Sequence, residues 1–222
     1  MAVATASLPA PALVSRLAPA KGAQNVRHAA AEGAESSDKQ LFGAALAGDR
    51  DALGKLVGRH ERALFGLLVR LTNGDRHRAD DLFQETFLHA MRAAGTFDRK
   101  LEFKPWLTAI AVNLVRDEAR KRKVRGEVPL EGGVDDQEYE RACAVADDNP
   151  GVNAERHDEE DRIRRALARL TLLEREVVLL HFYQSMTLVE TAAVLGVALG
   201  TVKSRLHAAL TRLSRMLEPP GE

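Results

Sequence analysis

The sequence predicts an all-α chain built as two small helical domains, and three observations carry that prediction. Apolar residues recur at helical spacing through two separate stretches. Threonine-led T-x-x-E caps open two helices of the second stretch, and an acidic run broken by Gly132-Gly133 and Asn149-Pro150-Gly151 divides the two. Composition agrees: 45% of the 222 residues are hydrophobic and only 5% aromatic, with Ala, Leu, Arg and Glu abundant, which favours helices around one or two small cores.

Residues 1–37 are rich in Ala, Pro, Ser and Gly, and Pro9, Pro11 and Pro19 interrupt any helical period, so they read as a disordered tail. The tail lacks a basic leader ahead of a continuous apolar segment, which argues against a secretory signal. Its Arg-containing composition, acid-free up to Glu32, is shared with organelle transit peptides, a reading set below the disordered one.

The first domain, residues 38–125, predicts four helices. The first is short, around Leu41, Phe42, Ala45 and Leu46, and Gly48-Asp49 closes it. The second, from Asp51 to about Leu71, sets Leu53, Leu56, Val57, Leu64, Leu67, Leu68 and Leu71 at helical spacing and stops at Asn73-Gly74-Asp75. The third, about His77 to Met91, turns Leu82, Phe83, Thr86, Phe87, Ala90 and Met91 inward and leaves Asp80, Asp81, Gln84 and Glu85 outside. Beyond a loop holding Gly95-Thr96-Phe97-Asp98, Pro105 suits the first turn of a fourth helix, where its missing N–H costs nothing. That helix offers Trp106, Leu107, Ile110, Ala111 and Leu114 to the core and ends in a basic run of Arg116, Arg120, Lys121, Arg122, Lys123 and Arg125.

Residues 126–160 concentrate acid, from Glu127 and Glu131 to Glu159 and Glu160, against only Arg141 and Arg156. A segment of this kind repels itself and stays extended, so it reads as a linker between domains and not as a folded element. The second domain, residues 161–218, opens with Ile163, Ala166, Leu167 and Leu170. Thr171-Leu172-Leu173-Glu174 then caps a helix carrying Val177, Val178, Leu180 and His181. Thr187-Leu188-Val189-Glu190 caps another, which runs to about Leu195, where Gly196 supplies the freedom to leave it. The last helix carries Val202, Leu206, Leu210 and Leu213 on one stripe, with Lys203, Ser204, Arg205 and His207 off it. Two short helices, a tight turn, one buried stripe and one basic face make a helix-turn-helix, whose chemistry is DNA. An ordinary helical hairpin with a solvated charged face fits the same local pattern.

Several classes are disfavoured. With 32 Lys and Arg against 32 Asp and Glu the net charge is zero, so attraction to nucleic acid must come from local segregation of charge. The only cysteine, Cys143, allows no internal disulfide and no cysteine-built metal site, and fits a reducing cytoplasm. The seven histidines have no metal-ligand spacing. No run approaches the roughly 18 apolar residues of a bilayer span. No carboxylates cluster as in a nucleic-acid-processing enzyme, so neither catalytic residues, metal nor cofactor is expected.

Taken together, Ala79-Asp80-Asp81-Leu82-Phe83-Gln84-Glu85-Thr86-Phe87, Trp106-Leu107-Thr108-Ala109-Ile110-Ala111-Val112-Asn113, Asp117, Arg120, Arg175-Glu176-Val177 and Gly200-Thr201-Val202-Lys203-Ser204-Arg205-Leu206 closely resemble the bacterial sigma factors of the extracytoplasmic-function (ECF) group. Their order, their spacing and the acidic connector are jointly specific, and the resemblance covers about Asp38 to Leu217.

The resemblance implies a transcription initiation factor that catalyses nothing itself. It would work in the cytoplasm, bind core RNA polymerase through its beta-prime clamp and beta flap, direct it to a promoter class and help melt the DNA, under the control of an anti-sigma factor. It has no small-molecule substrate and no direct membrane insertion. It nominates Asp80, Asp81, Gln84 and Glu85 for the clamp. For the opened minus-ten strand it nominates Phe97, Phe103, Lys104, Asn113, Arg116, Arg120, Lys121, Arg122 and Lys123, an extruded base needing amide hydrogen bonds and stacking surface and its phosphates needing cations. Because Trp106 falls on the apolar stripe with Ile110 it is expected in the core, leaving Phe97 and Phe103 as the aromatic contacts. Thr201, Lys203, Ser204, Arg205 and His207 are nominated for the minus-thirty-five duplex, with Arg205 first for a base or phosphate. Three departures from the family pattern stand out: Thr191 replaces a buried isoleucine, Ala198 a capping serine and Thr171 a proline. The competing reading is a stand-alone helix-turn-helix regulator with an N-terminal effector domain, which leaves the Asp80 to Phe87 and Trp106 to Arg120 blocks without an account.

Overall fold

The computed structural model describes residues 36–98, 100–125 and 154–217, so the readings of the tail up to residue 35, of linker residues 126–153 and of Cys143 lie outside the described residues. All regular structure among the described residues is helical, in two compact units.

The amino-terminal unit holds α1 (Asp38–Leu46), α2 (Arg50–Leu71), α3 (Arg76–Arg92) and α4 (Phe103–Arg125), with a single 3-10 turn (Ala94–Thr96) between the last two. Short polar side chains start each of the first three. Ser37 and Gln40 form a reciprocal capping box, the Asp49 carboxylate accepts from Asp51 N at 2.9 Å and Ala52 N at 3.0 Å, and Asp75 accepts from Arg78 N at 3.0 Å. Each satisfies backbone donors that a helix start leaves open, worth about 1 kcal/mol apiece. Asn73-Gly74 turns α2 into α3 with φ of 58° and 88°, left-handed backbone that glycine adopts freely and asparagine tolerates. Leu56, Leu64, Leu67 and Leu68 of α2 are buried with Ala79, Leu82 and Phe87 of α3 and Leu107, Ala111, Val112 and Val115 of α4. α4 buries this face alone. Trp106, Ile110 and Leu114, expected in the core, are only partly buried, because a helix advancing 100° per residue carries them around to the flank of Leu107 and Ala111.

The carboxy-terminal unit comprises α5 (Ala154–Ala168), α6 (Leu172–Val178) continued by a π turn (Leu179–Tyr183), α7 (Leu188–Leu195) and α8 (Leu199–Leu217). Residues 154–160, read from the sequence as the end of the linker, form the opening turns of α5. Acid that repels itself in a coil is favourable at the amino end of a helix, where the peptide dipoles present partial positive charge.

Arg175 holds this unit's first corner. Its Nε donates to Leu167 O at 2.9 Å and its Nη2 to Ala168 O at 2.7 Å and Leu170 O at 2.9 Å, so one buried guanidinium gathers the carbonyls at and just beyond the end of α5. Capping boxes open α6, through Thr171 and Glu174, and α7, through Thr187 and Glu190. Buried Thr191 turns its hydroxyl back onto Thr187 O at 2.9 Å and so leaves no polar atom stranded. Gly196, at φ 64°, ends α7 in the left-handed conformation. The buried stripe of α8 is Val202, Ala209, Leu213 and Leu217, in place of the expected Val202, Leu206, Leu210 and Leu213. Leu206 and Leu210 flank this stripe and are partly exposed, since a residue at the margin of a helix face is buried only where a neighbouring element covers it.

Candidate nucleic-acid interface

α3 turns Ala79, Leu82, Thr86, Phe87 and Ala90 into the core, and geometry therefore puts Asp80, Asp81, Gln84 and Glu85 outside, all four exposed. Gln84 Nε2 donates to Asp80 Oδ2 at 3.0 Å, a one-turn link along the face. Leu88, 55% exposed, continues it one turn beyond Gln84 and Glu85; the sequence reading set it on neither face, although its spacing from Gln84 and Glu85 could have placed it here.

On α4, residues three and four apart bring Trp106, Asn113, Arg116 and Arg120 to one side, away from Leu107, Ala111 and Val115. Asn113, Arg120, Lys121 and Lys123 are exposed, and Lys104, Arg116 and Arg122 partly so. The Arg120 guanidinium is ion-paired to Asp117 one turn back, and Arg78 Nε donates to Glu118 Oε1 at 2.7 Å, tying the start of α3 to this helix.

The aromatic assignments are corrected. Phe103 is 1% exposed and Phe97 9%, so neither presents a free ring to a strand, whereas Trp106 keeps an exposed part. The cause is an aromatic cluster: Phe97 meets Phe103 edge-on at 5.6 Å and Trp106 at 4.9 Å, and Phe42 of α1 packs on all three. Phe42 lies more than fifty residues from Phe97 in sequence, and no local pattern announces the contact. What the α3–α4 connection does expose is Lys100 and Leu101, the latter at 61%, on a turn in which Asp98 accepts from Lys100 N through its side chain and from Leu101 N through its carbonyl, both at 2.9 Å. A turn seeded by an aspartate two residues back is readable in the sequence and could have found them.

α8 follows the three-residue turn Gly196-Val197-Ala198. Ala198 O accepts from Thr201 N at 2.9 Å and Val202 N at 3.2 Å, but alanine has no side chain to cap the donors of the first turn. Lys203, Ser204 and His207 are exposed on the side opposite Val202 and Ala209, and Thr201 is partly exposed. Ser204 Oγ donates to Thr201 O at 3.0 Å. Arg205 departs from expectation. It flanks the buried stripe, is partly buried, and its Nη1 is enclosed with no hydrogen-bond partner, so it is not presented on the open face beside Lys203.

Among the described residues no group of three or more His, Cys, Asp or Glu is placed to hold a metal ion, and no helix is long and apolar enough to cross a membrane.

Residues 56–125 match the family description Sigma-70 region 2, and residues 160–213 match Sigma-70, region 4. The chain is 37% identical over 185 residues to the ECF RNA polymerase sigma factor SigM of Mycobacterium tuberculosis, covering 82% of this chain and 86% of that protein. It is 34% identical over 190 residues to the RNA polymerase sigma factor CnrH of Cupriavidus metallidurans, covering 85% and 98%. The solved structure of CnrH in complex with the cytosolic domain of CnrY superposes with a TM-score of 0.58 at 29% identity, over 82% of this chain and 98% of that one.

Proposed function

The chain belongs to the ECF RNA polymerase sigma factors, transcription initiation factors that bind core polymerase and direct it to promoters, and from that premise we propose how its surfaces divide the work. Residues 38–125 form the unit that docks on core polymerase and melts the minus-ten element. Residues from α5 to α8 read the minus-thirty-five duplex, and the acidic stretch between joins the two.

Within the first unit, Asp80, Asp81, Gln84 and Glu85 meet the beta-prime clamp, with Leu88 as an apolar neighbour. The opened strand lies along the α4 side that carries Asn113, Arg116 and Arg120, with Lys104, Lys121, Arg122 and Lys123 supplying further charge for its phosphates and Trp106 supplying exposed aromatic surface in place of Phe97 and Phe103. The observation that carries this division is the separation of charge within one small unit: an exposed acidic and amide face on α3, and a basic, asparagine-bearing face on α4.

In the second unit the duplex meets Thr201, Lys203, Ser204 and His207, while Arg205 acts from the flank. The uncapped amino end of α8 adds backbone N–H groups for a phosphate. Regulation by an anti-sigma factor is inferred as well, supported by CnrH being solved in complex with the cytosolic domain of CnrY. A protein that works on core polymerase and promoter DNA belongs in the cytoplasm. A stand-alone regulator is disfavoured, since it has no use for the α3 face.

The test is Asp81→Lys with Glu85→Lys. Both side chains lie off the core, so helicity and thermal midpoint should stay nearly unchanged while binding to core polymerase is lost. A folded double variant that still binds core polymerase overturns the assignment of this face.

A further inference from the structure

We infer that α1 is a strut that sets the position of the α3–α4 connection, with Phe42 as its positioning residue; this rests on the reading that α4 engages the opened strand and extends it to the exposed connection that leads into α4. α1 lies before residue 56, outside the segment matching Sigma-70 region 2. It nevertheless supplies the ring on which both ends of the connection rest. Phe42, 3% exposed, contacts Phe97 at 5.8 Å where the connection begins, and Phe103 at 5.0 Å and Trp106 at 5.5 Å where α4 takes over. Lys39, one turn earlier on α1, reaches Glu102 at 3.4 Å just before α4. Lys100 and Leu101 project from a turn clamped on both sides by one short helix.

α1 is itself locked to α2. Arg59 Nη1 donates to Asp38 Oδ1 at 2.6 Å and to Ser36 O at 3.1 Å, and His60 Nε2 lies 2.8 Å from Asp38 Oδ2. The His60 ring packs on Phe103 at 5.5 Å, so the lock and the cluster are continuous. Nine residues of helix, too few to persist alone in water, are fixed by the ion-paired Asp38 in the first turn and the Phe42 ring in the second. A loop that must select an unstacked base needs its contact groups held to within a fraction of an ångström, and a packed aromatic support provides this where a free loop would not.

The single tryptophan sits in the cluster and gives the experiment its signal. Wild-type factor, Phe42→Ala, and Lys39→Glu alone and together with Glu102→Lys are compared for Trp106 emission as free factors, and as holoenzymes for core polymerase affinity and discrimination among single-base variants of a premelted minus-ten strand. The strut predicts that F42A keeps core affinity within about twofold, shifts Trp106 emission, and loses discrimination by about fivefold or more. K39E should lose about twofold, and the charge-swapped pair should recover it, a recovery that general loss of stability would not give. If F42A does not fold, the K39E loss and its recovery decide the matter. Unchanged discrimination in a folded F42A variant with shifted emission overturns the strut, as does a K39E loss that the swap fails to restore. Lys100→Ala with Leu101→Ala serves as the control. If that variant discriminates normally, the reading of the connection itself has failed; if it does not while F42A does, only the strut has.

Discussion

The two units solve the problem of being small in opposite ways. Six of the seven phenylalanines and the only tryptophan lie in the amino-terminal unit, where rings interlock from Phe42 to Trp106 and from Phe65 through Phe83 to Phe87. The carboxy-terminal unit has an aliphatic core and is stapled by polar groups instead: two threonine–glutamate boxes, the Arg175 guanidinium on three carbonyls, and an Arg212–Glu174 contact at 3.1 Å. The difference suits the tasks proposed for the two units. Reading an intact duplex is rigid-body docking of one helix, for which correctly set helix ends suffice. Holding a strand out of its stack requires a loop that does not yield, and large rings packed at native density supply that support.

Phe103→Ala would break that contrast most severely. Removing a fully buried ring from the centre of the cluster should cost about 3 to 5 kcal/mol and lower the amino-terminal unit's denaturation midpoint, with little change in the carboxy-terminal transition. Trp106 emission against far-ultraviolet dichroism separates the two transitions, and coincident losses would mean that the units are not energetically distinct. Arg175→Ala should be somewhat milder and fall on the other unit. It leaves Ala168 O and Leu170 O without the guanidinium and Leu167 O with only the Leu170 N–H, for a loss of about 2 to 4 kcal/mol, and hydrogen exchange should show the end of α5 opening first.

Lys203→Ala sharpens the comparison without touching either core. Duplex binding should weaken similarly on cognate and altered minus-thirty-five sequences, with the salt slope falling by about one unit, while folding is unchanged. Arg205→Ala, from its flanking position, should alter stability more than sequence preference. Loss of preference at one base position would return Arg205 to the reading face.

The smallest effect is silent at neutral pH. Burial by itself would raise the Asp38 carboxyl, but hydrogen bonds and charge from His60 and Arg59 outweigh it and hold the group below its ordinary value. A depressed folded value means that this contribution to stability is complete above the unfolded value of about 4 and is lost as pH falls through the lower folded one. Acidification below about pH 4 should therefore release α1 and shift Trp106 emission, and Asp38→Asn should flatten that limb of the titration.

Local chemistry was sufficient for much of this protein. The Thr171 and Thr187 side chains cap backbone three residues away and Gly196 ends its helix by its own backbone freedom, so these residues disclosed their helices, and residue spacing alone exposed the α3 face. What the sequence could not disclose depends on partners distant along the chain. Phe97 and Phe103 look like loop aromatics free to meet DNA until Phe42, brought back by α2, covers them. Nothing local to Arg175 announces that its guanidinium reaches back to the end of α5. Arg205 looks open until the packing beside the α8 stripe encloses its Nη1. Periodicity tells which residues share a face, but a residue at the margin of that face is buried or open according to what packs beside it, and only the tertiary structure decides that.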